Sequence, residues 1–253
     1  MNENLWIGFL LATAAGLSTT FGSLMGILIR RPGPVFMSFT LGFSAGIMIL
    51  ISFVELLPCG IERIGFLPAH MAFFLGIGTF FLIDVLIPHE YIGQKDRTES
   101  QASSRLNRTG LMLALGIGIH NFPEGMLTLV GSIEDVRLGA AIALAIAIHN
   151  VPEGLAVSIP VYAATGSRKK AFWFSFLSGV SEPVGAGVAA LVLLPFLSPP
   201  VIGWSFSWVA GIMVAISLDE IIPSAKAFGR EHTPILGILL GMMVMAFSLA
   251  VLG

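Results

Sequence analysis

Apolar residues run through this chain in long blocks, interrupted at intervals by short polar clusters. The blocks fall at 5–29, 35–57, 68–87, 109–130, 138–160, 171–193, 201–222 and 235–252. Each is long enough to cross a hydrocarbon core of about 30 Å, which takes around 20 helical residues. The pattern therefore predicts an all-α polytopic membrane protein of eight transmembrane helices, forming a single transmembrane domain over residues 1–253. Breakers sit where the turns should be: Arg30-Arg31-Pro32-Gly33-Pro34, Gly166-Ser167-Arg168-Lys169-Lys170 and Pro199-Pro200. One long polar stretch, 88–108, reads as a loop.

Two short signals, one in the first span and one at the end of the polar stretch, are set aside. Ala12, Ala14 and Gly16 mimic a signal-peptide cleavage site, but no Lys or Arg precedes Arg30, so the first block is expected to stay as a span. Asn107-Arg108-Thr109 spells a glycosylation sequon and is expected to be a chance match on the cytoplasmic side.

Loop charge gives the orientation. Arg30, Arg31, Lys95, Arg97, Arg105, Arg108, Arg168, Lys169, Lys170, Lys226 and Arg230 lie on one side of the predicted membrane, against Arg63 and Arg137 on the other. Positive residues collect on the cytoplasmic side. Loop 88–108 is thus expected in the cytoplasm and both termini outside it.

Composition supports the membrane reading. Hydrophobic residues make up 55% and charged ones 11%, the latter far below the roughly 25% of a soluble domain. Mean hydropathy is +0.90. A net charge of −2 provides no surface for nucleic acid. The lone Cys59 rules out an intramolecular disulfide or a thiolate cluster and reads as a small packed residue.

Against this apolar background one hexapeptide occurs twice: His120-Asn121-Phe122-Pro123-Glu124-Gly125 and His149-Asn150-Val151-Pro152-Glu153-Gly154. An ionisable side chain at a membrane-helix centre costs roughly 2.5–3.5 kcal/mol on insertion scales, so such a motif needs a compensating partner. Residues four apart share a helix face, which puts His120 with Glu124 and His149 with Glu153, bordered by Asn121 and Asn150. Each central proline lacks an N–H and frees the carbonyl of Ile119 or Ile148. Such polar groups are tolerated at membrane depth only against protein or an aqueous cavity. Both histidines lie about 11 residues into their spans, roughly 17 Å deep at 1.5 Å per residue, and Glu182-Pro183 sits at a similar depth in the sixth span. The short connection around Gly131 to Arg137 makes spans 4 and 5 antiparallel neighbours.

Three carboxylates in a low-dielectric site cannot all stay ionised without cations between them. Two divalent ions bridged by Glu124, Glu153 and Glu182 would satisfy them. Imidazole, carboxylate and amide ligands suit Zn(II), Fe(II), Mn(II) or Co(II) and separate them poorly. Met48 would add a thioether at the entrance. Glu55, Asp84 with His89, and Asp219-Glu220 are placed near helix ends, as gates, proton handlers or ion pairs; His70 and His232 read as solvated boundary residues. Gly42/Gly46 and Gly237/Gly241 allow close helix approach, either inside the chain or at a homodimer seam.

With Ser181-Glu182-Pro183 and Ser217-Leu218-Asp219-Glu220-Ile221-Ile222-Pro223, the paired hexapeptides resemble the ZIP (Zrt/Irt-like) family of divalent metal transporters, especially its bacterial branch. The resemblance spans all eight blocks. It implies an inverted repeat of helices 1–3 and 6–8 around helices 4–5, and a binuclear centre. One cation would take His120, Glu124, His149 and Glu153, with Met48 above. The other would take Asn121, Glu124, Asn150, Glu153 and Glu182. It further implies helices 1, 4, 5 and 6 moving as a block against 2, 3, 7 and 8, with zinc, iron(II) or other divalent cations as substrates, no prosthetic group, and a bacterial or archaeal cytoplasmic membrane. One departure stands out: residues 88–108 contain a single histidine, His89, where many members are histidine-rich, so a cytoplasmic histidine relay is not expected.

Two other classes fit a buried di-metal site. An intramembrane hydrolase would use the metals to activate water, but no His-Glu-Xaa-Xaa-His motif occurs and no carboxylate is left over as a base. A metal sensor would bind without flux.

Overall fold

The computed structural model describes residues 2–28, 33–86, 118, 121–192, 194–228 and 231–252, and these are helical almost throughout. In chain order the helices are α1 (Asn2–Leu28), α2 (Pro34–Ile51), α3 (Leu57–Ile64), α4 (Phe66–Leu86), α5 (121–134), α6 (Val136–Thr165), α7 (Arg168–Val192), α8 (Pro199–Ile216), α9 (Ile222–Phe228) and α10 (Thr233–Leu252). Seven continuous helical stretches among the described residues are long and apolar enough to cross a membrane. Only part of the fourth predicted span, as α5, falls within the described residues. Loop 88–108, His89, His120 and the sequon lie outside them.

Two spans run past their predicted ends for one shared reason. The second continues from Pro34 to Ile64 and the seventh from Pro199 to Phe228, each through a π-helical turn, Ser52–Leu56 and Ser217–Ile221. In each, the N–H after the turn reaches back five residues, from Leu57 to Ser52 and from Ile222 to Ser217. Pro58 and Pro223 follow at once. Proline cannot donate to the carbonyl four residues back, and its ring crowds that carbonyl. A wider turn just before it carries the helix through. Glu55, Asp219 and Glu220 accordingly sit inside these π turns, not at helix ends as expected.

The residues around the two turns match one for one. Met48, Ile51, Ser52, Glu55 and Pro58 recur at one offset as Met213, Ile216, Ser217, Glu220 and Pro223. Even the hydroxyls repeat: Ser52 Oγ donates to the Met48 carbonyl at 2.7 Å and Ser217 Oγ to that of Met213 at 2.8 Å.

Small residues set which helices touch. Gly42 and Gly46 of α2 abut the Pro234 and Ile238 backbone of α10, while Gly237 and Gly241 abut Phe39 and Phe43. The two small-residue stripes thus pack on each other within the chain. Gly76 of α4 and Gly211 of α8 meet Trp208 and Phe73 in the same manner. On the other side α1 crosses α7 where Gly16 and Gly179 each face the other's carbonyl. Gly22 of α1 rests on Val151 of α6, and Gly185 of α7 rests on Phe122 of α5. Without side chains in the seam, backbones approach closely, which is how helices associate where lipid offers no hydrophobic drive.

Between α5 and α6 a single residue, Asp135, makes the turn. Its Oδ1 accepts from the N–H groups of Arg137 (2.6 Å) and Leu138 (3.3 Å), an N-cap that starts α6. Nearby, Arg63 of α3 reaches Glu134 at 3.0 Å, tying the end of the second span to this turn. His70 stays in the first turn of α4 with Nδ1 2.7 Å from the Phe66 carbonyl oxygen. His232 lies exposed in the α9–α10 turn, and Cys59 is half-buried.

Candidate metal centre

The second hexapeptide lies inside α6, with helix on both sides of Pro152, and the described part of the first, Asn121 to Gly125, is helical and belongs to α5. That follows from their surroundings. The apolar flanks hold the helices in the bilayer, and neighbouring helices cover the weakened turns. Gly125 and Gly154, which close the motifs, face the carbonyls of Glu182 on α7 and Thr19 on α1. A side chain at either glycine would overlap those oxygens. The motif's last residue therefore brings α7 against α5 and α1 against α6.

Every described candidate ligand is buried. Met48, Asn121, Glu124, His149, Asn150 and Glu182 have no exposed surface, and Glu153 retains 2%. His149 Nε2 lies 3.2 Å from Glu124 Oε1, joining the second motif to the first. Asn150 Nδ2 donates both to Glu182 Oε1 and, at 3.0 Å, to the Ala15 carbonyl. Asn121 Nδ2 points to the Ser178 carbonyl at 3.5 Å. The structure thus brings Glu124 to His149 and Asn150 to Glu182, linking α5, α6 and α7 with α1 alongside. Met48 packs in the apolar core with Ala15, Leu127 and Ile146.

What remains unsatisfied is more telling than what is bonded. Asn121 Oδ1, Glu124 Oε2, Asn150 Oδ1 and Glu182 Oε2 are buried oxygens with no hydrogen-bond partner among the described residues. Buried polar groups are nearly always paired, and each orphan costs roughly 1–3 kcal/mol, more if charged. All four are acceptors on candidate ligands; buried hydroxyls elsewhere, such as those of Ser38 and Ser207, are likewise unpartnered among the described residues, but a hydroxyl can donate as well as accept. Acceptors collected without donors fit a cation. Among the described residues no three His, Cys, Asp or Glu side chains converge closely enough to enclose an ion. The described contacts are instead a Glu–His pair and an Asn–Glu pair; His120 is outside the described residues.

Against this geometry the sequence comparisons can be weighed. A family model described as ZIP zinc transporter matches residues 87–249. The chain belongs to the ZIP zinc transporter family. Family members are transporters and not enzymes, so the hydrolase alternative falls away. Three relatives named zinc transporter ZupT match it along nearly their whole length. That of Chlorobium phaeovibrioides is 49% identical, covering 100% of both chains. The Streptococcus mutans serotype c protein is 45% identical over 98% of each. The one from Campylobacter jejuni is 44% identical over 99% of this chain and 98% of its own. Membership in the ZIP family accounts for the multi-pass helical fold.

Sequence reasoning named the helices that carry the candidate ligands but did not name α1. Ala15 and Thr19 carry no motif, yet the Ala15 carbonyl holds Asn150 and the Thr19 carbonyl accepts from Ser175 Oγ at 3.2 Å. Backbone acceptors leave no trace in residue identity.

Proposed function

We propose that this chain takes up zinc into the cytoplasm through a binuclear site at mid-membrane, and that iron(II), manganese and cobalt share the route. The ZupT names of its relatives support zinc as the substrate. The observation that carries the reading is the set of four buried oxygens, on Asn121, Glu124, Asn150 and Glu182, without donors among the described residues. One cation is held by His120, Glu124, His149 and Glu153, with Met48 above. The second takes Asn121, Glu124, Asn150, Glu153 and Glu182. Glu124 and Glu153 bridge the two. Hydrated cations exchange water for these ligands in turn, and protonation of the carboxylates and imidazoles weakens the hold for release.

The transport cycle in this proposal is alternating access around an inverted repeat. Matched contacts support the repeat. Gly16, Thr19 and Gly22 of α1 correspond at one offset to Gly179, Glu182 and Gly185 of α7. Under the exchange the Gly22 contact with Val151 becomes the Gly185 contact with Phe122, equivalent positions of the two hexapeptides. The first three spans then map onto the last three about α5 and α6, with both termini outside the cytoplasm. A homodimer would have to use a face other than the Gly42/Gly46 and Gly237/Gly241 stripes, which are occupied within the chain. A bacterial or archaeal cytoplasmic membrane is the compartment proposed.

The test is flux through purified protein in liposomes that trap a metal-sensitive dye. External zinc is expected to enter over the protein-free leak, with iron(II), manganese and cobalt competing and magnesium not. Tight zinc binding with no flux would replace the transporter by a sensor.

A further inference from the structure

Thr19 on α1 has no residue-level signal for function, and the structure gives it one. Its hydroxyl has no exposed surface and no hydrogen-bond partner among the described residues. Like Thr20 and Thr128, whose buried hydroxyls are also without a partner among the described residues, it does not donate to the carbonyl four residues back as a helical threonine can. Thr13, Thr40, Thr79 and Thr165 of this chain all do so, at 2.7–3.0 Å. For Thr19 that carbonyl belongs to Ala15, and it is already taken twice: by Asn150 Nδ2 at 3.0 Å and by Ser18 Oγ at 2.6 Å. The metal-centre asparagine has displaced the threonine from its ordinary acceptor.

Position says where the hydroxyl is available. At the α1–α7 crossing, a Cβ on Gly16 would lie 3.4 Å from Glu182 Cβ, and one on Gly179 would lie 3.4 Å from Thr19 Cβ. Gly125 faces the Glu182 carbonyl as Gly154 faces that of Thr19. Asn150 points to the Ala15 carbonyl as Asn121 points to that of Ser178. The glycine contact of Glu182's backbone thus has its counterpart at Thr19. In this matching Thr19 stands to Asn121 as Glu182 stands to Asn150. The Asn150 side has a carboxylate, and the Asn121 side has a hydroxyl in its place.

We propose that Thr19 is a further cation-facing residue of the metal centre, its hydroxyl supplying a neutral oxygen on the Asn121 side where Glu182 supplies a charged one on the Asn150 side. This rests on the binuclear reading above. The neutral group keeps that side from gaining a fourth buried carboxylate, which would hold a divalent ion too strongly for release. It also adds a hard oxygen donor, of more use to manganese than to zinc.

The experiment measures zinc and manganese binding by calorimetry, and influx kinetics in liposomes, for wild type, Thr19→Val, Thr19→Ser and Glu124→Ala. Valine keeps the shape and removes the hydroxyl. It is expected to weaken manganese binding about 10-fold, the low end of losses for groups supporting a metal site, to weaken zinc less, and to raise KM more than it lowers kcat. Thr19→Ser, which restores the hydroxyl, should recover the manganese affinity. A purely packing role would put serine at a loss and leave the manganese-to-zinc ratio unmoved; either result overturns the proposal. Unchanged Thr19→Val binding beside zinc binding lost in Glu124→Ala would overturn the role of Thr19 alone. Zinc binding retained in Glu124→Ala would overturn the metal centre itself.

Discussion

Zinc influx is expected to fall by about 100-fold or more in Glu124→Ala and in Glu153→Ala, since even groups that only support metal ligands cost 10–100-fold in affinity when removed. Loss of flux alone would not separate a ligand from a structural residue, so the decisive reading is thermal. Among the described residues Glu124 Oε1 meets His149 while its Oε2 has no partner, and Glu182 has one oxygen paired and one not. Neither carboxylate reaches a Lys or Arg among the described residues. Such groups strain the empty protein. Replacing one should leave the metal-free melting temperature level with wild type or above it. Zinc stabilises a protein that binds it only when folded, by about 2.7 kcal/mol at a hundredfold excess over Kd. Wild type should show that rise in melting temperature and Glu124→Ala should lose it. A structural hydrogen-bonding role predicts the reverse: a metal-free variant weakened by roughly 3–5 kcal/mol, as when a buried ion pair is broken, with the zinc response kept.

How far the sequence carries depends on what each residue contributes. The hexapeptides were legible because His, Asn, Pro and Glu are costly in an apolar helix and here occur twice. Span positions were legible because a bilayer demands apolar length. The ends of the second and seventh spans were not, because Pro58 and Pro223 read as stops; the π turns that absorb them depend on backbone geometry. Glu55 and Glu220 were misplaced with those ends. The pairing of α2 with α10 was half visible, since Gly42/Gly46 and Gly237/Gly241 announce close packing without naming the partner. Least legible was α1. It holds Asn150 through the Ala15 carbonyl, and a backbone oxygen is the same in every residue.

Gly125→Ala is expected to cost as much transport as the loss of a ligand, although it adds one methyl group. A Cβ at Gly125 would overlap the Glu182 carbonyl oxygen and crowd its carbonyl carbon, so α7 must move away from α5. The neighbour is backbone, which cannot rotate aside as a side chain can. Gly154→Ala has the same effect on α1 through the Thr19 carbonyl. In stability each change should cost about 1–3 kcal/mol, the range for overpacking. In function it should cost more, because a shift of Glu182 by about 1 Å separates it from the other ligands, and misplacements of that size cost on the order of 100-fold. Gly187→Ala supplies the contrast. It lies on the same helix as Glu182, and a Cβ there meets nothing within 4 Å; alanine in a helix should gain about 0.5–1 kcal/mol over glycine. Zinc affinity by calorimetry and melting temperature, measured on the three variants together, would separate the two costs. Wild-type affinity in Gly125→Ala would mean that the position of Glu182 is fixed elsewhere. Affinity lost there and kept in Gly187→Ala would place the function of the motif's glycine in the spacing of the ligand helices, which is why the hexapeptide ends on a residue that can bind no metal.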